Sequence, residues 1–275
     1  MKPRLQYYEM GEGIVAFSTT RQGGYSQGAY GEFNVNRFCG DCPEHIAKNH
    51  EALCQLLGIA SERLLMPHQV HLTNIAVVDE EMLRLSPDER RQQLDGFDAL
   101  MTNQKGVCIG VSTADCIPVL LCDTKQPAVC AVHAGWRGTV QRIVEAAVAK
   151  MTATYGSKPE NLVAQIGPGI HLDSFEVGDE VYETFLQSGF DMQPISRRYP
   201  THHSPLANDT QSDGPSKWHI DLPECNRLQL LSAGVLPQNI RVSPTCTFQH
   251  PDTFFSARRL GINSGRILSG IMLNA

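Results

Sequence analysis

Two short stretches carry the side chains best suited to chemistry. One is Ser112-Thr113-Ala114-Asp115-Cys116-Ile117-Pro118; the other is Ala131-Val132-His133-Ala134-Gly135-Trp136-Arg137-Gly138-Thr139. Each sets polar residues at the margin of an apolar run, where a strand can hold them rigidly and still present them to a cleft. Upstream, His68-Gln69-Val70-His71 adds two imidazoles. Cys116, His133 and either His68 or His71 make a three-donor nitrogen and sulfur set. Three protein donors with an open fourth position is the usual form of a catalytic zinc centre, whereas structural zinc closes with four. A thiolate with two imidazoles suits zinc or copper over magnesium or calcium. The same residues admit other uses. Cys116 can be a nucleophile with His133 as its base, or zinc can merely brace the fold, given a fourth donor. The spacing matches no local metal-binding pattern, and a single cysteine beside an apolar strand is ordinarily packing.

Arginines supply cations for an anionic ligand. Arg137 opens a helical segment between Gly135 and Gly138, where amide N–H groups and the helix dipole favour negative charge and the guanidinium adds a bidentate fork. A surface pairing with Glu145 is the plainer use. Phe254-Phe255-Ser256-Ala257-Arg258-Arg259 places two arginines after an aromatic pair, so that one can face an anion and the other solvent. Thr19-Thr20-Arg21-Gln22-Gly23-Gly24 reads as a turn with a further cation. Gly167-Pro168-Gly169-Ile170 is a tight turn after a strand and lacks the Gly-Lys-Ser/Thr of a phosphate-cradling loop. Cys39-x-x-Cys42 has no second pair to close a metal site, and His202-His203 falls in a polar stretch.

Strands and turns must hold these side chains. Residues 14–17, 75–78, 99–101, 107–111, 117–122, 128–132, 162–166 and 240–242 read as strands, several of them apolar throughout and so covered on both faces. The run 107–111 leads to Asp115 and Cys116, and the run 128–132 leads to His133. Helical spacing follows Pro43 up to a stop at Gly58, runs from Gly138 to Gly156, and opens again at Asp221, where Glu224 completes a capping box before Gly234. Strands outnumber helices without alternating strictly, which favours an α+β fold. The stretch 196–217, rich in Pro, His, Ser, Asn and Asp, reads as a loop insertion or lid, because too few residues follow it for a second domain.

Composition narrows the function classes. The chain has 275 residues with 23 basic and 29 acidic side chains, a formal charge of −6 that argues against sequence-independent nucleic-acid binding. Apolar residues at 41% and charged residues at 19% are those of a globular protein, not a disordered one. No apolar run is long enough to span a membrane. The N-terminal residues lack the form of a signal peptide. Nine cysteines, an odd number without a secretory signal, read as free thiols in a reducing compartment, hence a cytoplasmic protein.

Several segments together resemble one family. Gln69-Val70-His71, Asp95-Gly96-Phe97-Asp98-Ala99, Thr113-Ala114-Asp115-Cys116-Ile117-Pro118 and Ala131-Val132-His133-Ala134-Gly135-Trp136-Arg137-Gly138 are similar to the YfiH/laccase-domain family, whose members are called polyphenol oxidase or purine nucleoside phosphorylase. The likeness runs through most of the chain, from the Thr19–Gly24 turn through Gly167-Pro168 to the arginine pair. The resemblance implies a single domain over 1–275 with a four-layer α/β/β/α sandwich. It selects His71 over His68, so that His71, Cys116 and His133 bind one zinc, with copper the second choice, and leaves His68 as a neighbour or a pocket-lining residue. It also implies phosphorolysis of adenosine, inosine and related purine nucleosides such as methylthioadenosine, with adenosine deamination as a further activity. Cys116, His133 and Asp115 would then be the catalytic set. Arg137, Arg258, Arg259 and Arg21 would bind phosphate or substrate. Copper-dependent phenol oxidation, implied by the older name, fits less well, since the ten histidines include no His-x-His pair. Three positions depart from the family pattern: Ser174-Phe175 replaces a cysteine and tyrosine, and Ala257 stands where tyrosine is common. They bear on substrate preference and pocket polarity. The partners implied are purine nucleosides and phosphate, with no nucleic acid or membrane, and monomer and homodimer both stay open.

Overall fold

The computed structural model describes residues 2–200 and 216–274. Strands β1 (Leu5–Tyr8) and β2 (Ile14–Thr19) pair antiparallel. Helix α1 (Pro43–Leu57) follows, with Pro43 in its first turn and Gly58 ending it in the left-handed region at φ 69°. Next come β3 (Leu64–Leu65), β4 (Ile75–Val77), the short helices α2 (Glu80–Arg84) and α3 (Pro87–Gln93), and β5 (Ala99–Thr102). Strands β6 (Cys108–Thr113), β7 (Ile117–Asp123) and β8 (Val129–Ala134) run consecutively into α4 (Trp136–Val140) and α5 (Ile143–Tyr155). The remaining elements are β9 (Leu162–Ile166), β10 (Glu176–Val177), α6 (Asp179–Gln187), α7 (Met192–Ile195), β11 (Ser196–Pro200), β12 (Ser216–Ile220), α8 (Leu222–Ser232), β13 (Ile240–Val242), α9 (Ala257–Leu260) and β14 (Ile267–Leu273).

The strands form a five-stranded sheet in the order β1-β2-β14-β6-β3, a six-stranded sheet in the order β13-β9-β7-β8-β5-β4, and a three-stranded sheet in the order β10-β12-β11. The apolar runs alternate between two cores, as a period of two requires. In β7, Ile117, Val119 and Leu121 face the core shared with Val144, Ala147 and Met151 of α5 and Leu230 of α8. The intervening Leu120 and Cys122 face Ile109, Val111 and Ile271 of the five-stranded sheet. The outer face of that sheet, through Phe17, Cys108 and Leu268, packs on Leu53 and Cys54 of α1. The fold is therefore mixed α+β, as expected. Cys54, Cys108, Cys122, Cys130, Cys225 and Cys246 are buried, and all nine cysteines are free thiols.

Every expected strand is present, and four expectations change in detail. The helix expected from Gly138 to Gly156 is two helices, broken where Arg142 takes φ 63° and lays its guanidinium over the Phe190 ring at 3.7 Å. Strand β14 escapes the apolar pattern because Ser269-Gly270 interrupts it. Gly270 is needed there, since a Cβ would lie 2.8 Å from the Phe17 ring. At Asp221 the carboxylate accepts from the Glu224 N–H at 3.0 Å, but Glu224 closes no box and instead holds Arg227 with two bonds of 2.7 Å. The stretch 196–217 is not loop throughout: its ends are β11 and β12, paired antiparallel with Ser196 opposite Ile220 and Pro200 opposite Ser216. Its middle, including His202-His203, lies outside the described residues.

Candidate metal centre

Three backbone features converge on one point. The β6–β7 turn carries Cys116, the end of β8 carries His133, and the loop 68–72 carries His71. The donor atoms of these three side chains lie within 4.8 Å of one another. The His71 and His133 rings meet edge to face, 4.7 Å between centroids.

Asp98 organises two of the three. Its buried carboxylate accepts from the backbone N–H groups of Val70 (3.3 Å), His71 (2.9 Å) and Leu72 (2.7 Å), closing the loop around His71, whose φ is 63°. The same carboxylate holds His133 Nδ1 at 2.8 Å, and the Asp98 carbonyl accepts the His133 backbone N–H at 2.8 Å. With Nδ1 held, Nε2 is the ring nitrogen free to act as a donor to metal, the usual carboxylate–histidine arrangement of metal sites. Gln69 fastens the same loop to β6: its amide donates to the Ser112 carbonyl at 2.9 Å and accepts the Ser112 N–H at 2.7 Å.

The turn carrying Cys116 is set from its other side. Asp115 takes φ 86°, and its carbonyl accepts from the Ile170 N–H at 2.8 Å. Its carboxylate accepts from Thr247 Oγ1 and from the Arg258 backbone N–H, each at 2.7 Å. The carboxylate of Asp115, expected in the catalytic set, is thus engaged by a threonine hydroxyl and by a backbone N–H of α9.

Electrostatics favour a thiolate at Cys116 and a protonated imidazole at His133, whose proton a bound metal ion would displace. Burial pushes the Cys116 thiol up, but the imidazoles of His133 and His71 outweigh it and bring the thiol down to about 6. Burial pulls His133 down, and the Cys116 sulfur and Asp98 carboxylate reverse the direction. Asp98 is pushed up by burial and pulled below the usual carboxylate range by His133 and the loop N–H groups. A thiolate and two oriented imidazoles fit a zinc ion by their chemistry.

Gly135 keeps this cluster accessible. A Cβ at this position would lie 3.0 Å from His71 Cδ2 and 3.2 Å from Cys116 Sγ. Gly135→Ala is therefore expected to weaken metal binding by roughly tenfold or more, about 1.4 kcal/mol, while the far-ultraviolet circular dichroism stays that of wild type. Competition against a zinc indicator measures it; unchanged affinity would mean that His71 moves freely.

The cluster opens on a cavity of about 220 Å³. His68 lines it, with Nδ1 held 2.6 Å from Asp95 and its ring stacked on Phe38 at 4.3 Å. Ala257 also lines it, where a larger residue would fill space. None of the four expected anion-binding arginines does. Arg21 has Nε and Nη2 on the Gly31 carbonyl and Nη1 on that of Pro251. Arg137 is exposed, its guanidinium 4.4 Å from the Trp136 ring centroid. Arg258 donates to the Glu176 carbonyl at 3.0 Å, and Arg259 lies 5.1 Å from the Phe248 ring centroid. The cation that does line the cavity is Arg266, which the residue patterns did not single out. Asp98 also went unassigned, although a carboxylate opening an apolar strand must find partners when buried.

A family model described as "Multi-copper polyphenol oxidoreductase laccase" matches residues 15–274. A purine nucleoside phosphorylase of Bacteroides thetaiotaomicron is 46% identical over 261 residues, covering 95% of this chain and 92% of that protein. Adenosine deaminase RL5, from an unknown prokaryotic organism, is 41% identical over 98% of this chain and 97% of its own length. Among solved structures, the YfiH protein of Bacillus licheniformis superposes with a TM-score of 0.83 at 26% identity, covering 94% of this chain and 92% of that one.

Proposed function

The chain belongs to the multi-copper polyphenol oxidoreductase laccase family, and from that premise we propose that it is a zinc-dependent purine nucleoside phosphorylase. Adenosine and inosine are its substrates, methylthioadenosine a further one, and adenosine deamination a second activity. The observation that carries the reading is the cluster of His71, Cys116 and His133 on the wall of a cavity. The names of the two relatives at 46% and 41% identity supply the reaction classes. We also read residues 1–275 as one domain in the four-layer α/β/β/α form. The succession of α1, two facing sheets and α5 with α8 supports that order. No helix among the described residues is long and apolar enough to cross a membrane, and the absence of disulfides among the cysteines fits the cytoplasmic location proposed.

In phosphorolysis, phosphate attacks the anomeric carbon while the purine departs with developing negative charge, through an oxocarbenium-like state analogous to that of glycoside cleavage. His71, Cys116 and His133 would hold the zinc, which when bound supplies Lewis-acid polarisation. Asp98 holds the His133 proton on Nδ1 and fixes the loop that presents His71. His68, braced by Asp95 and Phe38, is the cavity side chain placed to give a proton to the departing base. The β6–β7 turn, held by Asp115, keeps Cys116 in place without exposing it fully.

The test is direct. Purified protein should contain zinc, and base release from inosine or adenosine should require phosphate, yield ribose 1-phosphate, and stop after chelation. Equal base release without phosphate would sink phosphorolysis, and copper with oxygen uptake on phenols would restore the oxidase reading. A second reading has its own support in the array Cys116–His133–Asp98, which has the form of a cysteine hydrolase triad. Activity that survives complete zinc removal and is lost on alkylation of Cys116 would favour it.

A further inference from the structure

Phosphorolysis needs a seat for phosphate, and the four arginines singled out by sequence lie off the cavity. We propose that Thr113, Arg266 and Asn36 form that seat for inorganic phosphate, a conclusion that rests on the phosphorolysis reading. The juxtaposition follows from strand register. Strands β6 and β14 are antiparallel neighbours with Thr113 opposite Ile267, so Arg266 arrives beside Thr113-Ala114 at the cavity wall.

Thr113 is 1% exposed, lines the cavity, and its Oγ1 has no hydrogen-bond partner. A buried hydroxyl without a partner carries an uncompensated desolvation penalty, which a bound oxyanion would remove. Arg266 is held rigidly: Nη1 donates to the carbonyls of Ser264 (2.6 Å) and Gly265 (3.0 Å), and Nη2 donates to that of Ile262 (2.9 Å). A guanidinium has donors beyond these, so the Nε–H and one Nη2–H stay uncommitted, a pair whose fork suits an oxyanion. Asn36 uses its side-chain oxygen to accept the Phe38 N–H at 2.6 Å, which leaves its NH₂ as a further donor at the cavity. Among the described residues, no carboxylate lines this cavity to oppose an anion. Fixed donors of this kind bind charge without reorganising.

The test uses the zinc-loaded protein. Thr113→Val removes the hydroxyl and keeps the shape. It is expected to raise the phosphate KM roughly tenfold or more, to leave the nucleoside KM within about twofold, and to leave the thermal midpoint without phosphate equal to or above that of wild type. Thr113→Ser should restore the phosphate KM, and Arg266→Lys should raise it. Calorimetric titration with phosphate, and with sulfate as a competing oxyanion, reads the same site without catalysis. Unchanged phosphate KM in Thr113→Val and Arg266→Lys, with wild type still phosphate-dependent, would overturn the seat and leave the reaction standing. Should wild type release base without phosphate, the reaction falls, and calorimetry decides the seat. Phosphate binding weakened by Thr113→Val upholds it; no phosphate binding to wild type overturns it.

Discussion

Asp98→Ala is expected to destabilise the protein by about 3–5 kcal/mol, the range for removing one partner of a buried charged pair, and to weaken metal binding by roughly 10–100-fold. The carboxylate is fully buried and serves the N–H groups of Val70, His71 and Leu72 together with His133 Nδ1. Without it, the loop 68–72 loses its central acceptor and His133 loses the group that fixes its tautomer. Asp98→Asn keeps the volume and one acceptor, and should fall between the two. Urea unfolding monitored by tryptophan fluorescence gives the first number and zinc competition the second. A loss below about 1 kcal/mol would mean that water replaces the carboxylate. The direction with pH follows from the depressed carboxyl of Asp98. Its stabilisation is present above its unfolded pKa and is lost as pH falls through the lower folded value.

The second large effect separates metal from nucleophile. His71→Ala is expected to release zinc and reduce phosphorolysis by about 10³-fold, since Lewis-acid stabilisation is worth several kcal/mol. His71 is exposed, so the fold should persist with an unchanged thermal midpoint of the metal-free form. Cys116→Ala cannot make this distinction, because either role of the sulfur is lost with it. A cysteine hydrolase built on Cys116, His133 and Asp98 would retain most of its rate in His71→Ala. Metal content, steady-state kinetics and alkylation of Cys116 in the same preparation decide the matter.

Cys116 and His133 were legible because each stands at the margin of an apolar strand, Cys116 just before β7 and His133 near the end of β8, where a side chain is both held and presented. Local pattern left His68 and His71 equivalent; the family likeness chose between them, and the clustering of the His71 ring with Cys116 and His133 is consistent with that choice. The four arginines were legible only as cations. Their charge declares what they can bind, yet their position depends on carbonyls far along the chain, as with Arg21 on Pro251. Thr113 and Arg266 meet only through the pairing of β6 with β14, a strand whose apolar pattern is broken by Ser269-Gly270. Asp115 was visible as polar and beside the thiol. Its actual partners, Thr247 and the Arg258 N–H, come from distant segments. The paired ends of 196–217 show the same limit, because a polar composition does not prevent strands at a sheet with solvent on one side.

The place of β14 between β2 and β6 has a consequence for biosynthesis. Both of its neighbours leave the ribosome long before it does. Until Ile267–Leu273 emerges, two strand edges stay unsatisfied in the nascent chain, a state open to wrong pairing with other chains. The six-stranded sheet has all its strands by Val242 and can assemble earlier. Translation thus delivers the thiol and imidazoles first and the seam that sets Arg266 later.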